Sequence, residues 1–435
     1  MGILRRSWVV VLVLVLLAAL TGWAGGKQEG AGQKVIMRFE IQTVTYESKG
    51  MQKVFAKFKE QHPEVEFKFE TGAENEIRTK MKTELASGGI SEIYMFWGGY
   101  GQIKPFWDAG VALDMDEYFK VSKVNKREMW GEGAQATFSV GGKLIGLPQN
   151  SFSTVWINNK ALFDKFGLAY PKTLAEMKAV AKVFNANGII PMAMGSVNGN
   201  PSHLFYSLIQ CQFSDGLKDL QDVQQTWKIN TEAAVRAGKF IAEMREAGVF
   251  PKDTVAGGDW GPNTAQFAEE KAAMISACPW QLPAFEPIAD KCDFGSTPRM
   301  PGADIDPAGI STGGAPYGLY LNPKAWNNPK LRPTLLAFAD VWASDESFLE
   351  FVYLDGVDPA KKVNIDTSKL SKMLAKYYTR LKGVRQLPNH WALVPDPETW
   401  NNFNYYMDEL WAGSTTPEQA LQKLQAIMDK NKPKS

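Results

Sequence analysis

Residues 141–177, GGKLIGLPQNSFSTVWINNKALFDKFGLAYPKTLAEM, decide how this chain is organised. The Gly141-Gly142 pair separates two short strand patterns, which is typical of a tight hairpin whose central residues need positive φ. Pro148 has no N–H to donate to a strand ladder, so it ends the pairing. An apolar run over residues 152–157 then predicts a new buried strand. The chain is therefore expected to leave one lobe here and enter a second.

Two helices are predicted after this strand. Residues 161–168, ALFDKFGL, have an amphipathic helical pattern. Thr173 is placed to cap a second helix, and Glu176 occupies the capping-box position three residues later. The order of strand, short helix, turn and capped helix is typical of an α/β lobe.

The same stretch resembles the middle of the family 1 bacterial extracellular solute-binding proteins, the maltose-binding-like receptors of ABC importers. That family reads approximately GlP, then YNK-lF-k-Gl, then P-xTwdEl in this region. The matching residues are Gly146, Leu147, Pro148, Asn159, Lys160, Leu162, Phe163, Gly167, Leu168, Pro171, Thr173, Leu174 and Glu176. The resemblance implies an α/β, two-lobed periplasmic-binding-protein fold, type II-like. Each lobe would be a largely parallel sheet flanked by helices, and a three-segment hinge would join the lobes around the ligand.

Length and charge are compatible with this organisation. At 435 residues the chain exceeds a single ordinary core, so two lobes are expected. Its 48 Lys and Arg balance 47 Asp and Glu, which argues against nucleic acid as a partner. We expect a monomer whose N-terminal lobe comprises residues 34–148 and 317–386. The C-terminal lobe is expected over residues 149–316 and 387–435.

The N-terminal segment predicts export. Two arginines precede an unbroken apolar run over residues 8–20, and the small residues Gly22 and Ala24 suit a signal peptidase. We therefore expect a signal peptide over residues 1–24, a flexible leader over residues 25–33, and a periplasmic protein. The alternative is an uncleaved anchor, although the apolar run is short for a span of about 20 residues.

Three cysteines, Cys211, Cys278 and Cys292, are present. Their odd number and lack of metal-site spacing allow at most one disulfide in an oxidising compartment. Cys278 and Cys292 are the nearer pair, and buried free thiols are the alternative. No cysteine follows the signal segment directly, so the lipid anchor of many relatives is not expected.

Strand and helix patterns alternate from residue 34 onward. VIMRFEI, EVEFKFE and IYMFW are predicted strands, and the helix between the second and third ends at Gly88-Gly89. Such alternation predicts a largely parallel sheet with a ligand crevice at the carboxyl ends of its strands. The functional loops are therefore expected after Ile41, Phe96, Met194 and Ala277.

The likeness to the solute-binding family continues on both sides of the first crossing. KMKTELASGGISEIYMFWGG is similar to a family segment whose strand-closing aromatic residue stacks on a sugar ring, and FAEEKAAMISACPW is similar to F-x-x-GkaAM-x-x-x-GpW. The resemblance implies stacking roles for Trp97 and Trp280, from opposite lobes. Gly98-Gly99-Tyr100 replaces a charged pair of some maltodextrin receptors, which argues against maltodextrin. Residues 387–395, LPNHWALVP, are the expected third crossing, and a helix over residues 368–381 is assigned to the N-terminal lobe.

A cleft that binds sugar is expected to combine aromatic planes with amides and carboxylates. A pyranose presents C–H faces that pack on an aromatic ring, and its hydroxyls seek polar groups. Trp107, Trp130, Trp342 and Trp400 are interpreted as core residues. The predicted ligand-binding residues are Trp97, Tyr100, Gln149, Asn150, Ser196, Asn198, Asp259, Trp260, Trp280, Gln281 and Trp391.

Metal and cofactor sites are not predicted. His62, His203 and His390 are dispersed and form no metal motif, and His203 is interpreted as a packed residue at a helix start. The acidic run that begins at Asp114 lacks the glycine and the closing Glu of a calcium loop. It is interpreted as a helix N-terminus.

Two alternatives to a receptor for neutral sugar remain open. An exported glycoside hydrolase would need two carboxylates about 5–10 Å apart, and Asp259 with Glu47 is a conceivable pair. A receptor for a polyol phosphate or another anion would need arginines in the cleft, where Arg299 and Arg385 are the candidates. We predict a non-enzymatic receptor without cofactor, which captures a neutral carbohydrate and delivers it to a membrane ABC permease.

Overall fold

A computed structural model describes residues 34–254 and 258–433. The predicted signal peptide and leader lie outside the described residues. In the part of the chain that is described, no helix has the length and apolar character needed to cross a membrane.

The chain folds into many short strands and helices in alternation. The strands are Val35–Gln42, Val65–Gly72, Ile93–Trp97, Ser139–Val140, Lys143–Leu144, Leu147–Pro148, Asn150–Ser153, Val155–Asn159, Ile190–Ala193, Ser196–Val197, Asn200–Pro201, Ala272–Ala277, Cys292–Gly295, Ile310–Gly314, Tyr317–Leu321, Asp358–Pro359 and Arg385–Leu387. The α-helices are Thr43–Tyr46, Lys49–Gln61, Glu74–Ser87, Tyr100–Asp108, Met115–Val121, Glu132–Thr137, Lys160–Phe166, Leu174–Ala186, Ser202–Gln210, Ser214–Gln221, Val223–Thr226, Glu232–Glu246, Trp260–Ala268, Leu282–Phe285, Pro323–Trp326, Arg332–Trp342, Asp345–Asp355, Lys372–Leu381, His390–Leu393, Pro397–Ala412 and Pro417–Asn431. Short 3-10 turns are Arg127–Met129, Pro279–Gln281, Glu286–Lys291, Pro307–Gly309 and Thr367–Lys369.

Each lobe is built around one sheet. The first-lobe sheet has the order Val65–Gly72, Val35–Gln42, Ile93–Trp97, Tyr317–Leu321 and Leu147–Pro148. The second-lobe sheet has the order Cys292–Gly295, Val155–Asn159, Ala272–Ala277 and Ile190–Ala193. The two α/β lobes confirm the predicted architecture.

The prediction of largely parallel sheets is wrong in detail, because both sheets are mixed. In the first lobe the strand Tyr317–Leu321 runs antiparallel to Ile93–Trp97. In the second lobe Val155–Asn159 runs antiparallel to both of its neighbours. These strands enter their lobes directly from a crossing, without the covering helix that would set a parallel direction.

Segments that pass between the lobes form a third sheet, which we call the hinge sheet. Its strand order is Asp358–Pro359, Asn150–Ser153, Ile310–Gly314 and Arg385–Leu387. Two passages lie near residues 149 and 315, where hinge strands adjoin strands of the first-lobe sheet. The third differs from the prediction, because the helix Lys372–Leu381 packs on the second lobe. Its Met373, Leu374 and Tyr377 share one apolar cluster with Ile157 and Phe285. Residues 360–362 still bond to first-lobe residues, so the chain passes to the second lobe after Lys362 and before residues 387–395.

The predicted hairpin and helix caps are confirmed, but the capping box at Glu176 is not, because the Glu176 carboxylate accepts a hydrogen bond from the Lys172 N–H. Gly141 and Gly142 have φ of +56° and +79° at the tip of a hairpin. Thr173 caps the helix Leu174–Ala186 by accepting a hydrogen bond from the Glu176 N–H at 3.2 Å. Asp114 caps the helix Met115–Val121, which confirms a helix N-terminus.

The three cysteines are buried free thiols. The alternative of a Cys278–Cys292 disulfide is therefore not realised. Burial raises the pKa of the Cys292 thiol to about 12, which keeps it protonated and unreactive at neutral pH.

A half-buried carboxyl group lies in the hinge sheet. Asp358 accepts hydrogen bonds from the hydroxyls of Tyr377 and Tyr378, both at 3.2 Å. Burial nevertheless raises the pKa of Asp358 to about 6, because the two hydroxyls compensate only part of the lost hydration. The group therefore carries a charge that destabilises the hinge at neutral pH.

We expect the free energy of unfolding to depend on pH through Asp358. The folded chain binds more protons than the unfolded chain between about pH 4 and pH 6, so stability falls as the pH rises through this window and is level above it. The contribution is up to about 1.4 kcal/mol per pH unit. Urea unfolding of the wild type and the Asp358→Asn variant at several pH values measures the difference. If the free energy of unfolding varied equally with pH in the two proteins, Asp358 would not be the group responsible for the pH dependence.

Candidate functional site

A cavity of about 670 Å³ opens between the two lobes. It lies at the end of each lobe's sheet that adjoins the segments passing between the lobes. All four loops predicted from the strand ends contribute to its lining, through Gln42, Trp97, Asn198 and Trp280. Aromatic and amide side chains dominate the wall. This is the mixture expected where a polar ring with apolar faces is to be bound.

Trp280 provides the exposed aromatic surface of the second-lobe wall. It is 37% exposed, whereas most large apolar side chains of the described residues are buried. Trp260 packs edge-on against it with ring centroids 5.1 Å apart, and Phe152 lies at 5.3 Å. Two rings thus hold the indole in place while its remaining surface faces the cavity.

Gln281 supports the turn that carries Trp280. Its Oε1 accepts a hydrogen bond from the Cys278 N–H at 2.9 Å, and its Nε2 donates to the Thr264 hydroxyl at 2.7 Å. These bonds connect the end of the central strand to the helix that carries Trp260. Gln281 is buried behind the wall and does not line the cavity.

Trp97 forms the first-lobe wall and is 7% exposed. The guanidinium carbon of Arg78 lies 3.6 Å from one ring centroid of Trp97, so Arg78 covers one face of the indole. Tyr317 packs against its edge at 4.8 Å. Only a limited part of Trp97 is therefore available to a ligand.

Arg78 and Lys82 are the cationic side chains of the lining, and both belong to the helix Glu74–Ser87. Arg78 contacts Glu74 at 3.0 Å and donates to the Gln102 Oε1 at 3.3 Å. Burial lowers the pKa of Arg78 despite this carboxylate. The cleft arginine is thus on a helix, whereas Arg299 and Arg385, the candidates from sequence, lie outside the lining.

The helix Pro397–Ala412, which we call the cleft helix, turns one face toward the cavity. Trp400, Asn404 and Asp408 follow each other at four-residue spacing and line the cavity with Asn401 and Tyr405. The interpretation of Trp400 as a core residue is incomplete, since it is nearly buried and still borders the cavity. The four-residue spacing was visible in the sequence, but it does not reveal which face is left uncovered.

Asp408 organises the second-lobe rim. Its carboxylate accepts hydrogen bonds from the Ser196 hydroxyl at 2.7 Å and from the N–H groups of Asn198 and Gly199, both at 2.9 Å. Burial raises the pKa of Asp408 above its ordinary value in spite of these donors. The turn at Asn198, with φ of +53°, is held in place by this one carboxylate.

His203 lines the cavity between this turn and Trp400. Its Nδ1 lies 2.8 Å from the Gly199 carbonyl oxygen, which can only accept, so Nδ1 carries the proton. The ring packs edge-on against Trp400 at 5.3 Å, and burial lowers the pKa of His203 to about 4. His203 is thus a neutral, packed residue at a helix start, as predicted, and it also borders the cavity.

Two buried amide oxygens in the lining have no hydrogen-bond partner. They are the Oδ1 atoms of Asn150 in the hinge sheet and of Asn404 on the cleft helix. A buried acceptor without a donor costs about 1–3 kcal/mol. Protein atoms cover both oxygens, so a ligand hydroxyl reaches either oxygen only after the amide group rotates toward the cavity.

The predicted site residues divide into two groups. Those that line the cavity are Trp97, Gln149, Asn150, Asn198, Trp260, Trp280 and Trp391. Those outside the lining are Tyr100, Ser196, Asp259 and Gln281. Ser196 is buried and bonded to Asp408, and Asp259 is an exposed helix cap that accepts from Gly261. Direct contact of these four with a ligand stays a prediction.

Hydrolysis would need a pair of free carboxyl groups in the cavity. The pair considered from sequence, Asp259 and Glu47, does not line it. The lining carboxylates that are present have internal partners, since Asp355 accepts from the Ser48 hydroxyl and the Gly50 N–H.

An acidic cluster outside the cavity is occupied by a lysine. Glu40, Glu70 and Glu84 converge in the first lobe, where Lys80 forms ion pairs with all three. Burial, followed by the neighbouring Glu84, raises the pKa of Glu40 to about 7. The Lys80 ammonium group supplies the positive charge that a metal ion would otherwise supply.

Comparisons with known proteins agree with the two-lobed architecture. Residues 43–347 match the family described as bacterial extracellular solute-binding protein. A probable sugar-binding periplasmic protein of Mesorhizobium japonicum is 24% identical over 244 residues, which are 54% of this chain and 53% of that protein. A protein of the same description from Rhizobium meliloti is 25% identical over 243 residues, with the same shares. The chain thus spans about half the length of the curated relatives it matches.

Solved structures share the fold over most of both chains. A chitin oligosaccharide binding protein superposes with a TM-score of 0.79 at 20% identity, covering 92% of this chain and 99% of that one. The maltose-bound T. maritima MalE3 superposes with a TM-score of 0.73 at 16% identity, covering 91% and 100%. Since the family match extends over more than half of the sequence and the fold has the same two lobes, the chain belongs to the bacterial extracellular solute-binding protein family.

Proposed function

We propose that this protein is a receptor that binds a carbohydrate between its lobes and delivers it to a membrane ABC importer. The observation that carries the proposal is the wall around Trp280. A partly exposed indole, fixed by Trp260 and Phe152, faces a cavity that is also lined by the amide side chains of Asn150 and Asn404.

The chemistry of this wall matches a sugar ring. An indole face packs on the axial C–H groups of a pyranose, and the hydroxyl groups around the ring donate to amide oxygens. A purely apolar ligand would leave the two oxygens unsatisfied. The curated relatives described as sugar-binding, and the solved neighbours that bind chitin oligosaccharide and maltose, support the same ligand class.

Capture would involve closure about the hinge sheet, which connects the lobes through short strands. The glycines of the Gly98-Gly99-Tyr100-Gly101 segment let the first lobe lie against the backbone near Trp391. A Cβ on Gly99 would meet the Trp391 carbonyl oxygen at 2.9 Å, and one on Gly101 would meet the Val394 carbonyl oxygen at 2.8 Å. This close approach would define a backbone contact surface between the lobes when they are closed.

The remaining parts of the proposal concern location and partners. Residues 1–24 would direct export and be removed, so that a monomeric receptor works in the periplasm and docks on its permease. The balanced charge of the chain supports small-molecule capture rather than nucleic-acid binding. The role is binding without hydrolysis, which the internal partners of the cavity carboxylates support.

Thermal unfolding of the mature protein, from about Gly25, tests this function against a panel of mono- and oligosaccharides. A ligand that binds only the folded state raises stability by about 2.7 kcal/mol at a hundred times its dissociation constant. We expect a carbohydrate to raise the midpoint and to be recovered intact. Consumption of the sugar would move the protein to the hydrolases, and absence of any shift across the panel would contradict the receptor role.

Asn404→Ala should separate affinity from stability. Because the Asn404 Oδ1 lacks a partner in the free protein, we expect the variant to unfold at the same or a slightly higher midpoint. It should bind carbohydrate about fivefold to tenfold more weakly, since one hydrogen bond of about 1 kcal/mol is lost. Asn402→Ala, on the same helix but outside the lining, is the matched control and should leave affinity unchanged. Equal affinity of the Asn404→Ala variant and the wild type would contradict the role.

A further inference from the structure

Two cations lie side by side on the first-lobe wall of the cavity. Arg78 and Lys82 both line it, and they are four residues apart on the helix Glu74–Ser87. Side chains at this spacing are neighbours on one helix face, where like charges repel each other. Burial lowers the pKa of Lys82, and the adjacent Arg78 lowers it further.

The other charged groups of the cavity wall have partners within the protein, which are an arginine for Glu74 and neutral hydrogen-bond donors for Asp355 and Asp408. Glu74 pairs with Arg78, Asp355 accepts from Ser48 and Gly50, and Asp408 accepts from the Ser196 hydroxyl. Lys82 differs from them, since no carboxylate of residues 34–254 or 258–433 forms an ion pair with it. The wall therefore keeps one ammonium group without a counter-charge, next to a guanidinium group.

We propose, on the basis of the carbohydrate-receptor function above, that the ligand is an acidic sugar whose carboxylate binds Lys82 and Arg78 at the first-lobe end of the cavity. Arg78 lies flat on Trp97 and uses three of its nitrogen positions on Glu74 and Gln102. A guanidinium group has five N–H donors. Two are thus left for a ligand oxygen, beside the three of the lysine ammonium.

A carboxylate fits this pair better than a phosphate does. The single negative charge of a uronic acid would pair with the Lys82 ammonium, which has no ion-pair partner among the described residues. A phosphate monoester carries about 1.5 to 2 negative charges at pH 7, so an excess negative charge would remain in a partly desolvated cleft beside Glu74. A uronic acid also keeps the C–H face that the Trp280 wall requires.

Calorimetric titration of two proteins with two ligands tests this inference. The ligands are a di- or trisaccharide of galacturonate or glucuronate and the same oligosaccharide with its carboxyl groups reduced to alcohols. The proteins are the wild type and Lys82→Gln. We expect the wild type to prefer the acidic ligand, and Lys82→Gln to bind that ligand about tenfold more weakly. Its affinity for the reduced ligand should fall much less, because an alcohol group has no charge to pair with the ammonium.

Lys123→Gln is the matched control, because it removes the same charge from an exposed first-lobe position outside the lining. It should leave both affinities unchanged. The preference for the acidic ligand should also decrease as salt is raised, since part of the ammonium is exposed to solvent.

Each other outcome has a definite meaning. If neutral sugars bind and Lys82→Gln matches the wild type for both ligands, the acidic-sugar inference is overturned while the receptor function stands. If a sugar phosphate binds more tightly than the uronate oligosaccharide, the carboxylate assignment is overturned. If no carbohydrate binds, acidic or neutral, the receptor function itself is overturned.

Discussion

Trp280→Ala is expected to weaken carbohydrate binding by about 2 kcal/mol or more, which is about thirtyfold in the dissociation constant. The indole is the exposed ring of the second-lobe wall, and Trp260 and Phe152 already hold it in the orientation that a sugar face needs. Because the free protein already fixes the indole, binding costs little conformational entropy there. The free energy gained by burying the ring therefore contributes largely to affinity.

Calorimetry of the wild type and two variants at this position checks the expectation. Trp280→Phe keeps an aromatic face and should lie between the wild type and Trp280→Ala. Because the side chain is partly exposed, the thermal midpoint without ligand should change little in either variant. A folded Trp280→Ala protein with wild-type affinity would refute the stacking role.

Gly313→Ala is expected to destabilise the protein by about 3 kcal/mol, the upper part of the range for overpacking. Gly313 is in the hinge strand Ile310–Gly314 and pairs with Ser153 of the neighbouring strand. A Cβ there would lie 2.0 Å from the Phe152 carbonyl oxygen and 2.5 Å from the Gln386 Nε2. Gln386 itself donates to that carbonyl at 2.7 Å, so three hinge segments would have to separate.

Gly309→Ala provides the control, since a Cβ at Gly309 meets no atom within 4 Å and lies only four residues away. Urea unfolding of the two variants measures the difference in the free energy of unfolding. Equal stability of Gly313→Ala and Gly309→Ala would show that the hinge strands accommodate a methyl group. Such a result would remove the argument for a tightly packed hinge.

The cleft charges illustrate what sequence reasoning missed and why. The sequence pattern places candidate anion-binding arginines in loops, at Arg299 and Arg385. Arg299 instead donates to the Ala303 carbonyl oxygen at 2.7 Å, away from the cavity. Arg78 and Lys82 are in a regular helix, and a helical pattern gives no sign that one of its faces will border a cavity. The prediction of a neutral sugar depends on the small number of arginines in the predicted cleft loops. The acidic-sugar inference depends instead on Arg78 and Lys82, which line the cavity.

The cleft helix illustrates the same limit for aromatic residues. The sequence-based interpretation of Trp400 is that of a core residue, and its side chain is 7% exposed. Its neighbours one turn apart, Asn404 and Asp408, are polar, which is unusual on a fully buried face. This spacing was the available signal. The spacing alone does not place the helix at the site, because that placement depends on which elements pack against the helix.

The sequence by itself determined the features that depend on near neighbours and on family pattern. These include the hairpin at Gly141-Gly142, the caps at Asp114 and Thr173, the first crossing, and the aromatic positions Trp97 and Trp280 near the cavity. Each depends on a few consecutive residues, because φ preferences, capping and strand breaks act over one turn of chain.

Only the tertiary structure decided the direction of the crossing strands, the lobe of the helix Lys372–Leu381, and the pairing of charges around the cavity. These features join residues far apart in the chain, such as Asp408 with Ser196 and Asp358 with Tyr377. Periodicity shows that a helix has two faces, but burial and hydrogen bonding of each face depend on partners that the local pattern does not contain. The binding site is formed between lobes, so its composition follows from their packing.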